Sequence, residues 1–224
     1  MAKRILDVVL SAIGLLGSAP LWGAFAAAIK LEDRGPVFYR QARVGRGGRI
    51  FDVVKFRSMV VNAEAGRGAV QAQRRDPRVT RVGRFLRATA MDELPQLWNI
   101  FRGDMSFVGP RALRPGEIEA DGDGALAPID AVPGYAERCR VQPGLTGIAQ
   151  VYASRDIARR HKFRYDRIYV ARQSVWLDVR LILVSFWISF RGTWETAGDQ
   201  RRHRPGRSDA RKPTDRKQVD ACAT

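Results

Sequence analysis

Two adjacent carboxylates, Asp92 and Glu93, are the residues of this sequence best suited to carry chemistry. Thr89 precedes Asp92 by three positions, as in a helix capping box, and Pro95 is tolerated in the first turn of a helix. The pattern predicts that the pair lies at a helix N-terminus, where backbone N–H groups and the helix dipole keep a carboxylate ionised. An ionised carboxylate can act as a nucleophile or bind a metal ion.

Basic side chains flank this pair in the sequence, and they are Lys55, Arg57, Arg84, Arg87 and Arg111. Cations around a carboxylate fit a phosphoryl-transfer site, where they balance the charge of the reacting phosphate. They fit a structural ion-pair network equally well. The charge pattern alone therefore leaves a catalytic and a structural interpretation open.

The composition is strongly basic, with 39 Lys and Arg against 23 Asp and Glu and a formal charge of +16. Arginine supplies 33 of the basic residues, and its guanidinium is a bidentate partner for phosphate. The excess indicates phosphate ligands, an anionic membrane or nucleic acid, unless it reflects only the codon usage of a GC-rich genome. With two cysteines and two histidines, the sequence excludes a disulfide scaffold and offers little to a histidine-rich metal site.

An uncharged stretch of 22 residues, 8–29, is long enough to cross a bilayer as a helix. Both of its flanks are basic, which fits a spanning helix poorly, and its length does not fit a signal peptide. Pro20 disrupts helical hydrogen bonding within the stretch, and Ser18 can satisfy a carbonyl freed there. We therefore expect residues 1–31 to form a re-entrant membrane hairpin broken at Ser18 and Pro20, with a kinked spanning helix as the alternative.

The remaining sequence predicts one compact, mostly helical α/β catalytic domain over residues 32–196. Extended stretches at 37–39 and 50–54 flank a glycine-rich turn, which predicts a hairpin. Residues 174–190 predict an apolar helix, which is either interfacial, as its Trp residues favour, or buried in the core. The polar, basic sequence of residues 197–224 predicts a disordered tail.

Five motifs follow one another along the chain: KFRSM at 55–59, DELPQLWN at 92–99, GDMSFVGPR at 103–111, PGLTGIAQ at 143–150 and DRIYV at 166–170. Their sequences and order resemble the bacterial sugar transferase family, the monotopic phosphoglycosyl transferases that act on polyprenyl phosphate. The resemblance extends from Lys3 to about Phe190. It implies a catalytic domain on the cytoplasmic face of the bacterial inner membrane, anchored by a re-entrant helix and interfacial amphipathic helices.

The resemblance also implies a reaction and roles for residues. Asp92 would attack the β-phosphate of a UDP-sugar, release UMP and carry a phospho-sugar that polyprenyl (undecaprenyl) phosphate then accepts. Glu93 would bind Mg²⁺, which offsets charge on the diphosphate. The candidates for phosphate binding are Lys55, Arg57, Arg87 and Arg111, with Gln150 and Asp166 as further site candidates.

Three positions depart from the family pattern. Ala19 separates Ser18 from Pro20, Ala112 follows Arg111 where a second proline is usual, and Val151 follows Gln150 where Asn-Gly is common. The last difference bears on which sugar fits the site. Larger family members carry an additional N-terminal membrane region, for which this sequence has no room before Lys3, so we expect a minimal catalytic form.

Two other classes of function compete with this interpretation. A membrane-tethered nucleic-acid-binding protein would interleave aromatic side chains with its arginines, whereas most aromatic residues here lie in apolar segments. An inactive membrane scaffold would have no use for an Asp92–Glu93 pair. We therefore expect an enzyme whose partners are a UDP-sugar, polyprenyl phosphate and anionic membrane lipids, without nucleic acid, and the sequence leaves a homodimer open.

Overall fold

The structure is a computed structural model, and it describes residues 1–63, 76–120, 126–153 and 157–190. The predicted disordered tail therefore lies outside the described residues. In chain order the elements are α1 (Ala2–Asp33), β1 (Phe38–Val44), β2 (Ile50–Phe56), α2 (Arg81–Ala88), α3 (Gln96–Arg102), β3 (Ser106–Val108), β4 (Ile118–Ala120), β5 (Leu126–Pro128), α4 (Tyr135–Arg138), β6 (Gly144–Thr146), α5 (Ile148–Tyr152), α6 (Arg159–Arg172) and α7 (Val175–Phe190). The described part of the chain is a mostly helical α/β fold with three two-stranded sheets.

Strands β1 and β2 form the predicted hairpin. They pair antiparallel over their whole length, from Phe38 opposite Phe56 to Val44 opposite Ile50. In the turn, Gly47 has a φ of 67° and Gly48 a φ of 80°, a left-handed conformation that glycine adopts without steric cost. The glycine-rich turn thus closes a hairpin that is longer than the extended stretches seen in the sequence.

Helix α1 runs without interruption from Ala2 through Pro20 to Asp33. The Ser18 hydroxyl donates to the Leu15 carbonyl oxygen at 3.5 Å and accepts the Trp22 indole N–H at 3.0 Å. By length and composition the helix could cross a membrane. The structure therefore has one continuous helix where the sequence predicted a break, and the path of this helix through a bilayer stays a prediction.

One side of α1 packs on the rest of the domain. Trp22 and Phe25 place their rings edge-on to Phe56, with centroid distances of 5.5 and 5.7 Å. Ile29 is buried in the same cluster as Phe56 and Leu86. Exposed apolar side chains occupy other positions along the helix, among them Ile5, Val9, Ile13 and Leu16.

Helix α7 confirms the predicted apolar helix and has an unusual distribution of side chains. Two of its polar residues point into the protein, whereas Arg180 is exposed: Asp178 is buried and accepts the Tyr169 hydroxyl at 2.8 Å, and Ser185 is hydrogen bonded to Thr146. Leu181 is buried, whereas the exposed apolar residues of α7 include Trp176, Leu183 and Phe186. One side of α7 therefore belongs to the core, and binding of its apolar outer side to a membrane interface stays a prediction.

Candidate active site

Asp92 and Glu93 lie in a short 3-10 turn, Met91–Glu93, between α2 and α3. The predicted capping box is wrong, because the Thr89 hydroxyl donates backwards to the carbonyl oxygens of Phe85 and Leu86 at 2.9 and 3.2 Å. Thr89 thus ends α2 rather than starting α3. The carboxylates reach their position through a left-handed residue, Ala90, whose φ is 56°.

Glu93 is held in its ionised form by surrounding donors. Lys55, which projects from β2, places its Nζ 2.5 Å from Glu93 Oε1. Burial alone would raise the pKa of Glu93, but the charges of Lys55 and Arg111 and the hydrogen bond from Lys55 outweigh it and lower the pKa to about 2. Glu93 is therefore a fixed negative charge.

Asp92 differs from its neighbour, because its side chain is nearly buried and makes no ion pair within the described residues. Burial raises its pKa to about 6, and the nearby charges of Lys55 and Arg87 offset only part of this effect. The adjacent Glu93 charge raises the pKa further. The sequence predicted a readily ionised Asp92, and the structure instead gives a poorly solvated carboxylate that ionises close to neutral pH.

Arg111 is placed at this site by backbone pairing between two of the sequence motifs, GDMSFVGPR and PGLTGIAQ. Strands β3 and β6 pair in parallel, and a further bridge joins Arg111 to Gly144. A Cβ atom on Gly144 would lie 2.0 Å from the Gly109 backbone nitrogen, so only glycine permits this approach. The close approach of the two backbones explains why both motifs contain glycine at this point. It also fixes the position of the backbone at Arg111.

Asp166 lies behind Arg111 rather than beside the carboxylates. Its Oδ2 pairs with Arg138 Nε at 2.9 Å, and both side chains are about 5% exposed. Arg138 in turn donates from a terminal nitrogen to the Arg111 carbonyl oxygen at 2.5 Å and stacks over the Phe163 ring, 4.7 Å from its centroid. Within the described residues, Asp166 is therefore linked to the backbone of Arg111 through Arg138.

The structure also places Arg57 outside the carboxylate cluster. Its guanidinium forms a bidentate pair with Asp33 at the end of α1 and donates from Nε to the Pro36 carbonyl oxygen at 2.5 Å. Arg57 is 6% exposed. These contacts tie the end of α1 to β2 and direct the guanidinium to Asp33 and Pro36.

Gln150 and Gln96 have buried side-chain atoms without protein partners. Both amide atoms of Gln150 and the Nε2 atom of Gln96 are buried and make no hydrogen bond in the structure. Such atoms cost free energy unless water or a ligand bonds them. Of the predicted site residues, the structure thus groups Asp92 and Glu93 with Lys55, Arg87 and Arg111, while Gln150 is oriented by no hydrogen bond.

Two arginines of this region were missed by sequence reasoning, namely Arg138 and Arg43. Burial and the nearby charges of Arg111 and Arg114 lower the pKa of Arg43 to about 10. Its guanidinium donates to neutral acceptors, the Ala112 carbonyl oxygen and the Gln41 amide oxygen. Neither arginine lies in a recognised motif, and only the fold shows that cations accumulate on this side of Arg111.

The carboxylate pair fits a magnesium ion shared with a substrate. Within the described ranges, no three His, Cys, Asp or Glu side chains cluster to hold a metal ion. Mg²⁺ is, however, commonly bound by one or two carboxylates together with substrate phosphates and water. Glu93 is ionised and adjacent to Asp92. Together the two carboxyl groups can supply the protein oxygen ligands of such a shared ion.

Comparison with known proteins gives a consistent set of relatives. The chain is 45% identical over 188 residues to a UDP-glucose:undecaprenyl-phosphate glucose-1-phosphate transferase of Caulobacter vibrioides, covering 82% of this chain and 67% of the relative. It is 43% identical over 192 residues to an undecaprenyl-phosphate glucose phosphotransferase of Komagataeibacter xylinus, covering 83% of this chain and 35% of the relative.

A third relative differs in its sugar. An Aeromonas hydrophila UDP-N-acetylgalactosamine-undecaprenyl-phosphate N-acetylgalactosaminephosphotransferase is 41% identical over 184 residues, 80% of this chain and 41% of the relative. The chain thus spans between about a third and two thirds of the length of these three proteins. The model of the family described as bacterial sugar transferase matches residues 1–192. This chain, with its Asp-Glu pair between two cationic motifs, therefore belongs to the bacterial sugar transferase family.

Proposed function

We propose that the protein transfers a phospho-sugar from a UDP-sugar to polyprenyl phosphate through a covalent phospho-sugar on Asp92, releasing UMP. The observation that carries the proposal is the contrast within the carboxylate pair: Glu93 is bound by Lys55, whereas Asp92 is free of ion pairs in the described chain and poorly solvated. A poorly hydrated carboxylate is a better nucleophile than a hydrated one. The names of the relatives support the same pair of substrates.

In the first half-reaction, an Asp92 carboxylate oxygen attacks the β-phosphorus of the UDP-sugar. The bond between that phosphorus and the oxygen bridging to the α-phosphate breaks, and UMP leaves with the electron pair. Lys55, Arg87 and Arg111 balance the negative charge that accumulates on the transferred group. Mg²⁺ held by Glu93 would supply further charge neutralisation at the leaving UMP.

In the second half-reaction, a phosphate oxygen of polyprenyl phosphate attacks the same phosphorus. The acyl-phosphate bond breaks, Asp92 regains its carboxylate, and the product is a polyprenyl-diphosphate-sugar. Both attacking groups approach a phosphorus held by the same cations, so one site serves both steps. A covalent intermediate of this kind divides one difficult displacement into two.

We also propose that α1 lies in the cytoplasmic leaflet and does not span the bilayer. Its first residues bond to the body of the domain: Lys3 Nζ donates to Asp178 Oδ2 at 2.8 Å and to the Val108 carbonyl oxygen at 3.0 Å. At its other end, Glu32 accepts the backbone N–H groups of Arg81 and Val82 at 2.6 and 3.1 Å. Because both ends of α1 are bonded to the same domain, neither end is free to lie on the opposite side of a membrane.

The exposed side chains support this placement. Apolar residues of α1 and α7 are exposed, and in α7 Asp178 and Ser185 make their hydrogen bonds within the domain, the reverse of a helix facing water. A pair of single-cysteine variants at Ala2 and Arg34, in a chain lacking Cys139 and Cys222, tests it. Both should react with a membrane-impermeant thiol reagent added to the cytoplasmic side, and labelling of the Ala2 position only from the opposite side would show a spanning helix.

The catalytic proposal is tested by UMP release from a panel of UDP-sugars with polyprenyl phosphate and Mg²⁺. Wild-type protein should release UMP from at least one sugar, and Asp92→Asn protein should release none. Equal release by both proteins would contradict the covalent mechanism.

A further inference from the structure

An apolar groove of about 580 Å³ lies on the side of the β1–β2 hairpin that carries Asp52 and Val54. We call it the hairpin groove; α1 and α3 form its other walls, and its apolar lining includes Leu15, Trp22, Phe38, Val54, Pro95 and Trp98. Its volume falls in the range of sites that bind small molecules. Phe38 and Trp98 are 42% and 46% exposed at its edge, so the groove is open to the surroundings of α1.

Charged side chains also line this groove. Arg102 is paired with Asp104 at 3.2 Å, whereas Arg40 and Arg49 have no ion pair within the described residues. One further carboxylate, that of Asp52, faces the same groove. Two guanidiniums against one carboxylate leave a positive charge beside an apolar surface, which is complementary to a molecule with an anionic head and a hydrocarbon chain.

The groove and the reacting carboxylates contact different residues of β2. Phe51, Asp52 and Val54 line the groove, while Lys55, the residue after Val54, is not part of its lining and binds Glu93. Arg40 lies opposite Val54 in the hairpin, on the face away from Lys55, so a head group held by Arg40 is apart from the ion pair next to Asp92. The groove therefore suits a lipid of the bilayer better than the phosphate that takes part in the reaction.

We propose that the hairpin groove binds one anionic phospholipid of the bilayer, with its phosphate between Arg40 and Arg49 and an acyl chain along the apolar wall formed by α1 and α3. The proposal rests on the proposed placement of α1 in the cytoplasmic leaflet, which brings the groove to the level of the lipid head groups. A bound lipid would fill the space between α1 and the hairpin and fasten them to each other.

Native mass spectrometry of the full chain, expressed in a bacterium with phosphatidylglycerol in its membrane and extracted in mild detergent, tests the proposal. Wild-type protein should retain about one phosphatidylglycerol, and the Arg40→Gln/Arg49→Gln variant should retain at least fivefold less. The matched control is Arg46→Gln/Arg140→Gln, which removes the same charge at exposed positions outside the groove and should retain the lipid as wild type does.

Two results would overturn the proposal. One is equal lipid retention by the groove variant and wild type; the other is stoichiometric displacement of phosphatidylglycerol by added polyprenyl phosphate, which would make the groove a substrate site. UMP release measured on the same preparations separates this proposal from the catalytic one. Arginine-dependent lipid retention without UMP release would leave the lipid site standing and contradict the enzyme, and the opposite pattern would do the reverse.

Discussion

The two faces of the β1–β2 hairpin carry cations in opposite settings. On one face Lys55 binds Glu93 at 2.5 Å in a partly buried, polar cluster next to Asp92. On the other face Arg40 lines an apolar groove together with Arg49 from the hairpin turn, and neither arginine has an ion pair in the described chain. In our proposals the two faces recognise two kinds of phosphate, one that belongs to a reacting group and one that belongs to a membrane lipid.

This difference teaches that charge alone does not identify the reacting face. The arginine excess of the sequence serves at least three purposes in the fold: Arg57 fastens α1, Arg138 supports the backbone of Arg111, and Arg40 lines the groove. Only burial and a neighbouring carboxylate mark the face where a cation tunes chemistry.

Among the cations of the hairpin, the largest effect should come from Lys55→Met, which removes the ion-pair partner of Glu93. We expect kcat/KM for UMP release to fall by about 10²–10³-fold, because Lys55 also balances charge on the transferred phosphate. Arg40→Met, a change of the same size on the opposite face, is the control and should alter the value by less than about threefold. Similar losses in both variants would remove the distinction between the two faces.

The pH dependence of kcat/KM tests whether the ionised form of Asp92 is the nucleophile. Burial raises its pKa to about 6, and the attacking form is the ionised one, so kcat/KM should fall as pH decreases through about 6, approaching tenfold per pH unit below it. Steady-state UMP release between pH 4.5 and 8 measures this limb. A profile that stays flat down to pH 5 would contradict a protonation-sensitive Asp92.

The buried pair Arg138–Asp166 tests positioning at a distance from the reacting atoms. Removing one partner alone, as in Arg138→Met, should destabilise the fold by about 3–5 kcal/mol. The double variant Arg138→Met/Asp166→Leu should recover most of that stability, yet remain about tenfold less active with a raised KM for the UDP-sugar, because no donor then holds the Arg111 carbonyl.

Thermal unfolding and kinetics of the double variant together decide this point. If the double variant recovers both stability and full activity, the Arg138–Asp166 pair is only structural and Asp166 has no influence on the site.

The smallest effect concerns stability rather than rate. Because the folded-state pKa of Asp92 is raised, its carboxyl favours folding below its ordinary pKa and opposes folding as pH rises through about 6. Asp92→Asn should therefore be more stable than wild type at pH 8, by up to about 2 kcal/mol, and should lose this advantage at pH 4. Denaturant unfolding at the two pH values measures it; a variant less stable than wild type at pH 8 would contradict a buried, unpaired Asp92.

Local patterns in the sequence predicted the elements that depend on local chemistry. The glycines of the 45–48 turn and the apolar run of 174–190 were enough to predict the hairpin and α7, since turn geometry and helix periodicity are local. The hairpin and α7 were confirmed because neighbouring residues determine them. The motif order also indicated that Lys55 and Arg111 lie near the carboxylates, but it did not show that Arg57 and Asp166 lie elsewhere.

Features that depend on distant partners could not be predicted in this way. Thr89 has the spacing of a helix start, but its hydroxyl reaches the preceding helix, and no local rule decides between the two. Arg57 has a family-like motif but is bound by Asp33, which is 24 residues away in the sequence. The role of Asp166 likewise depends on Arg138, whose contact with Arg111 exists only in the folded chain.

The most direct test is mass spectrometry of wild-type protein mixed with its UDP-sugar and Mg²⁺ in the absence of polyprenyl phosphate. The covalent mechanism predicts one phospho-sugar per chain, located on the peptide containing Asp92, together with a stoichiometric burst of UMP. Addition of polyprenyl phosphate should remove the mass. UMP formation that requires polyprenyl phosphate from the start, with no mass added to Asp92, would contradict the mechanism and indicate direct transfer between the two substrates.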